Sequence, residues 1–337
     1  MLVRSFQGLT NQADLTLIQC QRPDRMPNQA KIEETSQLDS VLAQLNSVVV
    51  GKSTELKLAL SALLADGHLL VEDIPGVGKT TLARSLAATL GLEWNRIQFT
   101  SDLLPADVIG VSIFDVAAQN FRFHHGPVFT SLLLADELNR APPKTQSALL
   151  EAMEEHQVTA DGMSYPLARP FFVVATQNPQ EQLGVYPLPE SQLDRFIACI
   201  EIGYPDSNSE REILSGGDRR DLLDSIEPVI TTDTLLYWQA MARQVYVAPP
   251  LLDYVQALMA TTRQMAHSGE CGSGLSPRAG LSLLAMSRSW ALLHGREMVL
   301  PEDVQSVFTS VAAHRLAGSL RHGQPLTNEL LKTVDIG

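Results

Sequence analysis

The chain has 337 residues, of which 45% are hydrophobic and 19% are charged, and its formal net charge is -13 at pH 7. A chain of this length is expected to form about two domains with a sizeable core. The acidic balance argues against broad, non-specific coating of nucleic acid, although a local basic groove would not show in the sum. Nucleic acid is therefore disfavoured as a partner but not excluded.

The cysteines and the hydropathy pattern argue against two further classes of protein. Cys20, Cys199 and Cys271 lie far apart and in no C-x-x-C pair, so neither a disulfide framework nor a zinc site is indicated. No apolar run approaches the roughly 18 residues of a membrane span, and the N-terminus lacks the apolar region of a signal peptide. We therefore expect a cytoplasmic protein without a membrane span.

The N-terminal part of the chain changes character at Ser36. Residues 1–35 are polar and show no sustained periodicity, which predicts a loosely ordered tail or an arm that contacts a partner. Leucines at helical spacing then predict one helix, and residues 53–65 predict a second. Gly51, between them, has two interpretations: the turn of a helical hairpin that covers a sheet, or a glycine that lets the backbone approach an adenine ring.

The most informative stretch is residues 68–84, HLLVEDIPGVGKTTLAR. Its apolar run predicts a buried parallel strand that leads into a glycine-rich turn and a helix beginning at Lys79. Glycines let backbone N–H groups curl around a polyphosphate, and the helix N-terminus adds unpaired donors. Lys79 supplies a charge for the β and γ phosphates, and the Thr80 hydroxyl can ligate Mg²⁺. Asp73 stands where the G-x-x-x-x-G-K-[ST] pattern has its first glycine, and aspartate tolerates a tight turn better than most residues. The predicted nucleotide contacts are Pro75, Gly76, Val77, Gly78, Lys79, Thr80 and Thr81.

A second apolar run, Ser131 to Ala135, stops abruptly at Asp136 and Glu137. This places both carboxylates at the carboxyl end of a strand, where open α/β sheets bind their ligands. Asp136 is predicted to hold the Mg²⁺ shell, directly or through water, and Glu137 to orient and polarise the attacking water. An acidic pair also ends many strands as a solvated cap, but a phosphate loop upstream favours the catalytic interpretation.

Two polar residues farther along each have two interpretations. Asn178 ends the predicted strand 171–175, so its amide reaches the same water or the γ phosphate if the two strands are neighbours; alternatively it starts an Asn-Pro turn. Arg195 either pairs with Asp194 or Glu190, or is inserted by a neighbouring subunit to stabilise phosphoryl charge.

The remaining signals concern an insertion and the C-terminal part. Residues 111–114 and 120–123 alternate like a β-hairpin, an excursion that usually serves recognition. From Ser209 onward the pattern is helical, and Ser276 caps a helix with Arg278 in its first turn. A cation there opposes the helix dipole, so an anion should compensate it, either a bound phosphate or a surface carboxylate.

Read together, six segments resemble a MoxR-type AAA+ ATPase. They are GVGKTT (76–81), LLLADELNRAPPKTQSALLEAMEE (132–155), ATQNP (175–179), LPESQLDRF (188–196), LSPRA (275–279) and VLPEDV (299–304). The resemblance implies a P-loop α/β core with a five-stranded parallel sheet in the order 5-1-4-3-2, a helical lid, and a hexameric ring with ATP at subunit interfaces. The domains would be a tail (1–35), a nucleotide-binding domain (36–205, with an insert at about 102–125) and a lid (206–337).

By this resemblance the candidate residues match named motifs of the family. Lys79 and Thr80 match Walker A, Asp136 and Glu137 Walker B, Asn178 sensor 1, Arg195 the arginine finger and Arg278 sensor 2. Asp73, and Lys52 where the family commonly has glutamine, depart from the pattern and bear on nucleotide affinity.

The resemblance implies a ring that hydrolyses ATP with Mg²⁺ to remodel or mature protein partners, together with a von Willebrand factor A-domain co-chaperone. One alternative is an oligomeric scaffold that is switched by ATP and hydrolyses little. Another is an AAA+ motor associated with nucleic acid. Glu137, Asn178 and Arg195 favour hydrolysis, because a protein that only binds ATP would not need them.

Overall fold

The computed structural model describes residues 28–117, 119–178, 184–215 and 219–336. The strands are β1 (His68–Glu72), β2 (Trp94–Gln98), β3 (Gly110–Asp115), β4 (Asn120–His125), β5 (Leu132–Asp136), β6 (Gln157–Ala160), β7 (Met163–Pro166), β8 (Phe172–Gln177) and β9 (Phe196–Ile200). The first six helices are α1 (Asn28–Val48), α2 (Ser53–Leu64), α3 (Lys79–Leu90), α4 (Pro105–Ile109), α5 (Pro143–Glu155) and α6 (Glu190–Leu193), with a 3₁₀ turn at Leu138–Arg140. The others are α7 (Ser207–Ser215), α8 (Arg219–Asp224), α9 (Thr232–Gln244), α10 (Pro249–Ser268), α11 (Pro277–Leu293), α12 (Pro301–Ala317) and α13 (Leu320–Thr333).

The central sheet has five strands in the order β2-β5-β8-β1-β9, and every neighbouring pair is parallel. Counted along the chain, these core strands have the order 5-1-4-3-2, so the predicted topology is confirmed. The inner strands β1 and β5 are buried at every position. Strands buried on both faces are continuous apolar runs, which is why their sequence marks them clearly.

Alternate residues of the core strands contribute to two hydrophobic cores. Leu69 and Val71 point to the face covered by α1, α2, α3 and the C-terminal helices. Leu70 points to the other face, where it joins Leu149 and Leu150 of α5. The sheet is therefore covered on both sides, as a parallel sheet requires.

Two hairpins lie outside the central sheet. β3 pairs with β4, which confirms the hairpin predicted at 111–123, and β6 pairs with β7. The hairpins touch each other because Phe123 of β4 stacks on Tyr165 of β7, with ring centroids 4.1 Å apart. His125 stacks in the same way on Phe129, at 4.0 Å.

The C-terminal helices form the predicted helical lid and pack against the core. α12 lies against β9, and α11 lies against α2 and α9. At the other end of the chain, α1 begins at Asn28, upstream of the leucine pattern that starts near Ser36. The tail predicted at 1–35 falls mostly outside the described residues and stays a prediction. Among the helices that the structure describes, none is long and apolar enough to cross a membrane.

Candidate functional site

The predicted phosphate loop, residues 73–78, connects the carboxyl end of β1 to α3. Gly76 and Gly78 have φ values of +85° and +100°, which side chains with a Cβ rarely adopt. A Cβ added to Gly76 would have no atom within 4 Å, so the loop is open at this point. Gly78 is also the N-cap of α3 and offers no side-chain cap. A left-handed glycine loop that ends in an uncapped helix N-terminus fits a phosphate group.

The residues of the first turn of α3 face this loop. The Lys79 ammonium donates a hydrogen bond to the Asp73 carbonyl oxygen at 2.8 Å, across the loop. Thr80 and Thr81 follow it and are half-buried. The lysine therefore lies where it can bind the outer phosphates of a nucleotide held by the loop.

Asp73 has a different part in the structure from the one the sequence suggested. Its side chain is only 2% exposed, and its Oδ1 accepts a hydrogen bond from the Ile74 N–H at 2.8 Å. Its Oδ2 accepts the N–H groups of Ile202 and Gly203, each at 2.7 Å. The carboxylate thus ties the start of the phosphate loop to the segment that leads from β9 toward the lid. Tolerance of a tight turn is not the main reason for an aspartate here.

Asp136 and Glu137 are held together by Thr176, a buried residue of the neighbouring strand β8. The Thr176 hydroxyl donates to Asp136 Oδ1 at 2.6 Å and accepts the Glu137 N–H at 2.9 Å. Glu137 has φ +57° and ψ +46°, a left-handed conformation that is uncommon for a residue with a side chain. One hydroxyl therefore sets both acids at the end of β5.

Each of these acids also forms an ion pair with an arginine. Arg96 of β2 donates to Asp136 Oδ2 at 2.7 Å, and Arg140 Nε lies 3.0 Å from Glu137 Oε2. The Asp136 side chain is 11% exposed and the Glu137 side chain is 27% exposed. Both carboxylates are therefore compensated within the chain, and water reaches Glu137 more readily than Asp136.

Asn178 follows the end of β8, and the strand registers place it beside the other groups. β8 lies between β5 and β1, with Ala175 opposite Ala135 and Gln177 opposite Glu72. The neighbouring strands on which the Asn178 prediction depended are therefore present. The carboxyl ends of parallel strands meet at one edge of the sheet. The structure brings the residues predicted for magnesium, water and phosphate to that edge: Lys79, Thr80, Asp136, Glu137 and Asn178.

Arg195 and Arg278 lie at the opposite edge of the sheet. Both pair with Glu154 of α5: Arg195 Nε lies 3.1 Å from Oε2, and Arg278 Nη1 donates to Oε1 at 2.9 Å. Arg195 directly precedes β9, and the carbonyl of Met153, next to Glu154, contacts His68 at the start of β1. β1 has five residues, or about 16 Å at roughly 3.3 Å per residue, between this edge and the phosphate loop. Within one chain the two arginines therefore do not join the phosphate loop, and the anion that compensates Arg278 is a carboxylate.

Gly51 and Lys52 contact the segment between the core and the lid. A Cβ on Gly51 would lie 2.3 Å from Ser209 Oγ and 3.2 Å from Asp206 Oδ2, so close packing against this segment requires glycine. The Lys52 ammonium donates to the Tyr204 carbonyl at 2.9 Å. An adenine contact for Gly51 stays a prediction.

The first and last residues of β1, His68 and Glu72, are buried ionisable groups. Burial raises the pKa of Glu72 to about 7, although its carboxylate accepts the Leu320 N–H of the lid at 2.7 Å. Burial lowers the pKa of His68 to about 4. The His68 ring accepts the Val173 N–H at 3.1 Å and lies 3.1 Å from the Met153 carbonyl, a pattern that suits the neutral ring.

The sequence reasoning missed several residues that shape the site. Thr176 lies inside the segment ATQNP, two residues before Asn178. Its hydroxyl, at the end of a strand next to the acidic one, was a local signal that the sequence analysis did not use. Arg96 lies in none of the segments that the sequence analysis singled out, and Glu154 lies only inside the segment 132–155, with no role assigned to it. Their partners lie far away in sequence, and no local spacing indicates them.

Comparisons with known proteins agree with this architecture. Residues 68–198 match the family described as the ATPase family associated with various cellular activities (AAA), and residues 263–333 match the AAA lid domain. Uncharacterized protein YeaC of Bacillus subtilis is 45% identical over 279 residues, which cover 83% of this chain and 86% of that protein. Chaperone MoxR1 of Mycobacterium tuberculosis is 41% identical over 290 residues, which cover 84% of this chain and 76% of that protein.

A solved structure has the same fold over almost the whole chain. It is the crystal structure of a proposed ATPase from Cytophaga hutchinsonii. The TM-score is 0.80 at 35% identity, and the match covers 91% of this chain and 97% of that one. With the strand order and the phosphate loop, these similarities show that the chain belongs to the MoxR-type AAA+ ATPases.

Proposed function

We propose that this chain hydrolyses ATP at a site shared by two of its copies, which are arranged in a hexameric ring. The observation that supports the proposal is the placement of the candidate groups at opposite edges of the sheet, with Asp136 and Glu137 at one and Arg195 and Arg278 at the other. A neighbouring copy that turns its arginine edge toward the phosphate loop supplies both guanidinium groups to the phosphates. Head-to-tail contacts of this kind form rings when the rotation between neighbouring copies closes.

In this proposal each residue at the phosphate loop has a separate part. Lys79 binds the outer phosphates, and the Thr80 hydroxyl and the Asp136 carboxylate hold Mg²⁺. When bound, Mg²⁺ neutralises charge on the phosphate oxygens. Glu137 accepts a proton from the attacking water, and the Asn178 amide orients that water. Thr176 keeps the two acids in register, because its hydroxyl contacts both residues.

We further propose that the ring remodels or matures protein partners, with a von Willebrand factor A-domain protein as co-chaperone. Membership of a family that includes chaperone MoxR1 supports a chaperone-like activity. The hairpin β3–β4 supports protein contacts, because Phe114 and Phe121 are 48% and 73% exposed and lie edge to face at 5.3 Å. Exposed aromatic groups that lie together are common at protein interfaces.

Steady-state ATPase measurements on the wild type and Glu137→Gln test the proposal. We expect kcat to fall about 10²- to 10⁴-fold, the range that a general base contributes, with ATP affinity retained. Glu151→Gln, an exposed residue of α5, is the matched control and should be as active as the wild type. A Glu137→Gln variant with unchanged turnover would refute the assigned base.

A scaffold that is switched by ATP is the second candidate. The pairing of Asp136 with Arg96 and of Glu137 with Arg140 favours it, because both acids are already neutralised within the chain. Nucleotide-dependent assembly without turnover in the wild type would establish this alternative. An AAA+ motor on nucleic acid would instead show turnover that DNA or RNA stimulates in a salt-sensitive way.

A further inference from the structure

Arg315 of α12 is a buried arginine at the contact between the lid and the core. It is 6% exposed, and its Nε donates to Asp194 Oδ1 at 2.7 Å. Its Nη2 donates to the carbonyl oxygens of Phe196 at 2.8 Å and Asp194 at 3.3 Å, and its Nη1 donates to that of Ile197 at 3.3 Å. One rigid guanidinium therefore holds the chain on both sides of Arg195.

Asp194 connects this arginine to a second lid helix. Its other oxygen, Oδ2, accepts a hydrogen bond from the Ser276 hydroxyl at 3.1 Å. Ser276 is the N-cap of α11, and its Oγ accepts the Ala279 N–H at 3.1 Å. Arg278 lies in the turn that this cap defines. Asp194 therefore joins the residue before Arg195 to the cap that precedes Arg278.

The charges in this region alternate. Three cations, Arg195, Arg278 and Arg315, lie around two carboxylates, Glu154 and Asp194. Burial lowers the pKa of Arg315, the hydrogen bond with Asp194 opposes that shift, and the charge of Arg278 adds to it. Asp194 is the carboxylate that pairs with the buried Arg315. Glu154 is the carboxylate nearer the surface, and it pairs with both Arg195 and Arg278.

We propose that Asp194 and Arg315 are positioning residues, which set Arg195 and Arg278 as one rigid pair for the ATP site of the neighbouring copy. This inference rests on the proposed function, because the pair has a catalytic task only at a shared site. The guanidinium of Arg315 binds several acceptors in a fixed plane, which a flexible lysine cannot reproduce. A displacement of about 1 Å in a catalytic group can cost about 10²-fold in rate. Asp194 and Arg315 therefore affect turnover without touching the nucleotide.

The test uses mixtures of variant subunits. If Asp194 and Arg315 act on the site of a neighbouring copy, a suitable mixture regains ATPase activity, whereas a role only in the stability of their own subunit gives no such gain. Asp194→Asn is the main variant, and Arg315→Lys, which keeps the charge but loses the planar fork, is the second. We expect each to bind ATP within about twofold of the wild type and to lower kcat about tenfold or more. Ser276→Ala is a milder variant for use if the other two fail to fold, and we expect it to lower kcat less than they do.

Each variant is then mixed with Glu137→Gln, which carries intact arginines but lacks the base. We expect the mixture to exceed the summed activities of its separate components at least severalfold, because Glu137→Gln presents its arginine pair to the intact acids of Asp194→Asn. Asp66→Asn is the matched control: it removes another ion pair between core and lid, Asp66 with Arg243 at 2.6 Å, and should keep wild-type kcat.

Two results would overturn the inference. In the first, Asp194→Asn loses ATP affinity in proportion to its loss of ATPase activity, or its mixture with Glu137→Gln is no more active than the sum of its components. In both cases a mixture of Arg195→Ala with Glu137→Gln does recover activity. In the second, the Arg195→Ala mixture also fails to recover. That result rejects the shared site itself, and the positioning role with it, so the two failures are distinguishable.

Discussion

The Asp73 carboxylate accepts the backbone N–H of Gly203 at 2.7 Å. This contact joins the first residue of the phosphate loop to the chain segment that leaves the last core strand for the lid. Glu72, the preceding residue, accepts the N–H of Leu320 at the start of α13. Of these two successive acids, Asp73 therefore attaches the phosphate loop to the segment that leads to the lid, and Glu72 attaches the end of β1 to the lid itself.

Replacing Asp73 should destabilise the protein although the motif has a glycine here. Asp73→Asn replaces one carboxylate oxygen with an amide NH₂ group, which cannot accept a backbone N–H. Asp73→Gly leaves three backbone donors unpaired, one buried and two part-buried. We expect the free energy of unfolding to fall by about 2–4 kcal/mol for either variant, with Asp73→Gly at least as damaging. Urea unfolding monitored by circular dichroism measures this loss.

Asp39→Asn, at an exposed position in α1, serves as the control and should keep wild-type stability. If Asp73→Gly were as stable as the wild type, the carboxylate would be dispensable, and the attachment to Gly203 would have no energetic weight.

Lys79→Ala should weaken nucleotide binding. Charge-assisted hydrogen bonds contribute about 1.5–3 kcal/mol, which corresponds to a Kd for ATP that rises about 10- to 100-fold. Titration of a fluorescent ATP analogue measures it. Lys332→Ala removes an exposed ammonium group from α13, outside the loop, and it should change Kd much less. Equal effects of the two substitutions would count against the assigned part of Lys79.

Thr176→Val should slow turnover while the protein still folds. The substitution removes the hydroxyl that contacts both Asp136 and Glu137 and leaves the side-chain shape similar. Loss of a group that orients a metal ligand typically costs about 10- to 100-fold, and we expect kcat to fall in this range. Thr159→Val, an exposed position in β6, is the control. Unchanged kcat in Thr176→Val, with magnesium dependence also unchanged, would show that the acids need no such bridge.

Glu72 and His68 should give opposite pH dependences of stability. The pKa of Glu72 rises from 4.5 to about 7 on folding, so the folded protein binds the extra proton and its stability falls as pH rises through this window. The pKa of His68 falls from 6.5 to about 4, so the unfolded chain binds the extra proton and stability falls as pH drops through that window. Between pH 4.5 and 6.5 the two slopes oppose each other.

Single substitutions separate the two effects. Relative to the wild type, the stability of Glu72→Gln should rise more steeply with pH across this interval, and that of His68→Gln should rise less steeply. Each slope should change by about 1 kcal/mol per pH unit. Urea unfolding at half-unit pH intervals from 4.5 to 6.5 gives these slopes, and parallel curves for all three proteins would contradict the assignment.

The amino-acid sequence alone determined the phosphate loop and the acidic strand end, whereas the sheet order came from the resemblance to a known family. Gly76 and Gly78 mark a backbone conformation directly, and a buried parallel strand is a continuous apolar run. Because the carboxyl ends of parallel strands share an edge, the positions of Asp136 and Asn178 in the sequence already predict that they lie near Lys79. These are local signals, or follow from a general property of parallel sheets.

Only the tertiary structure decided which partners these residues have. The Asp73 carboxylate binds Ile202 and Gly203, and Glu154 lies between Arg195 and Arg278. Each contact joins residues that are far apart in the chain, and the sequence around a carboxylate on an amphipathic helix does not indicate which arginine it pairs with. Arg195 lies away from the phosphate loop because it precedes β9, whereas the position of Arg278 follows from how α11 packs on β9, a property of the assembled cores rather than of any segment.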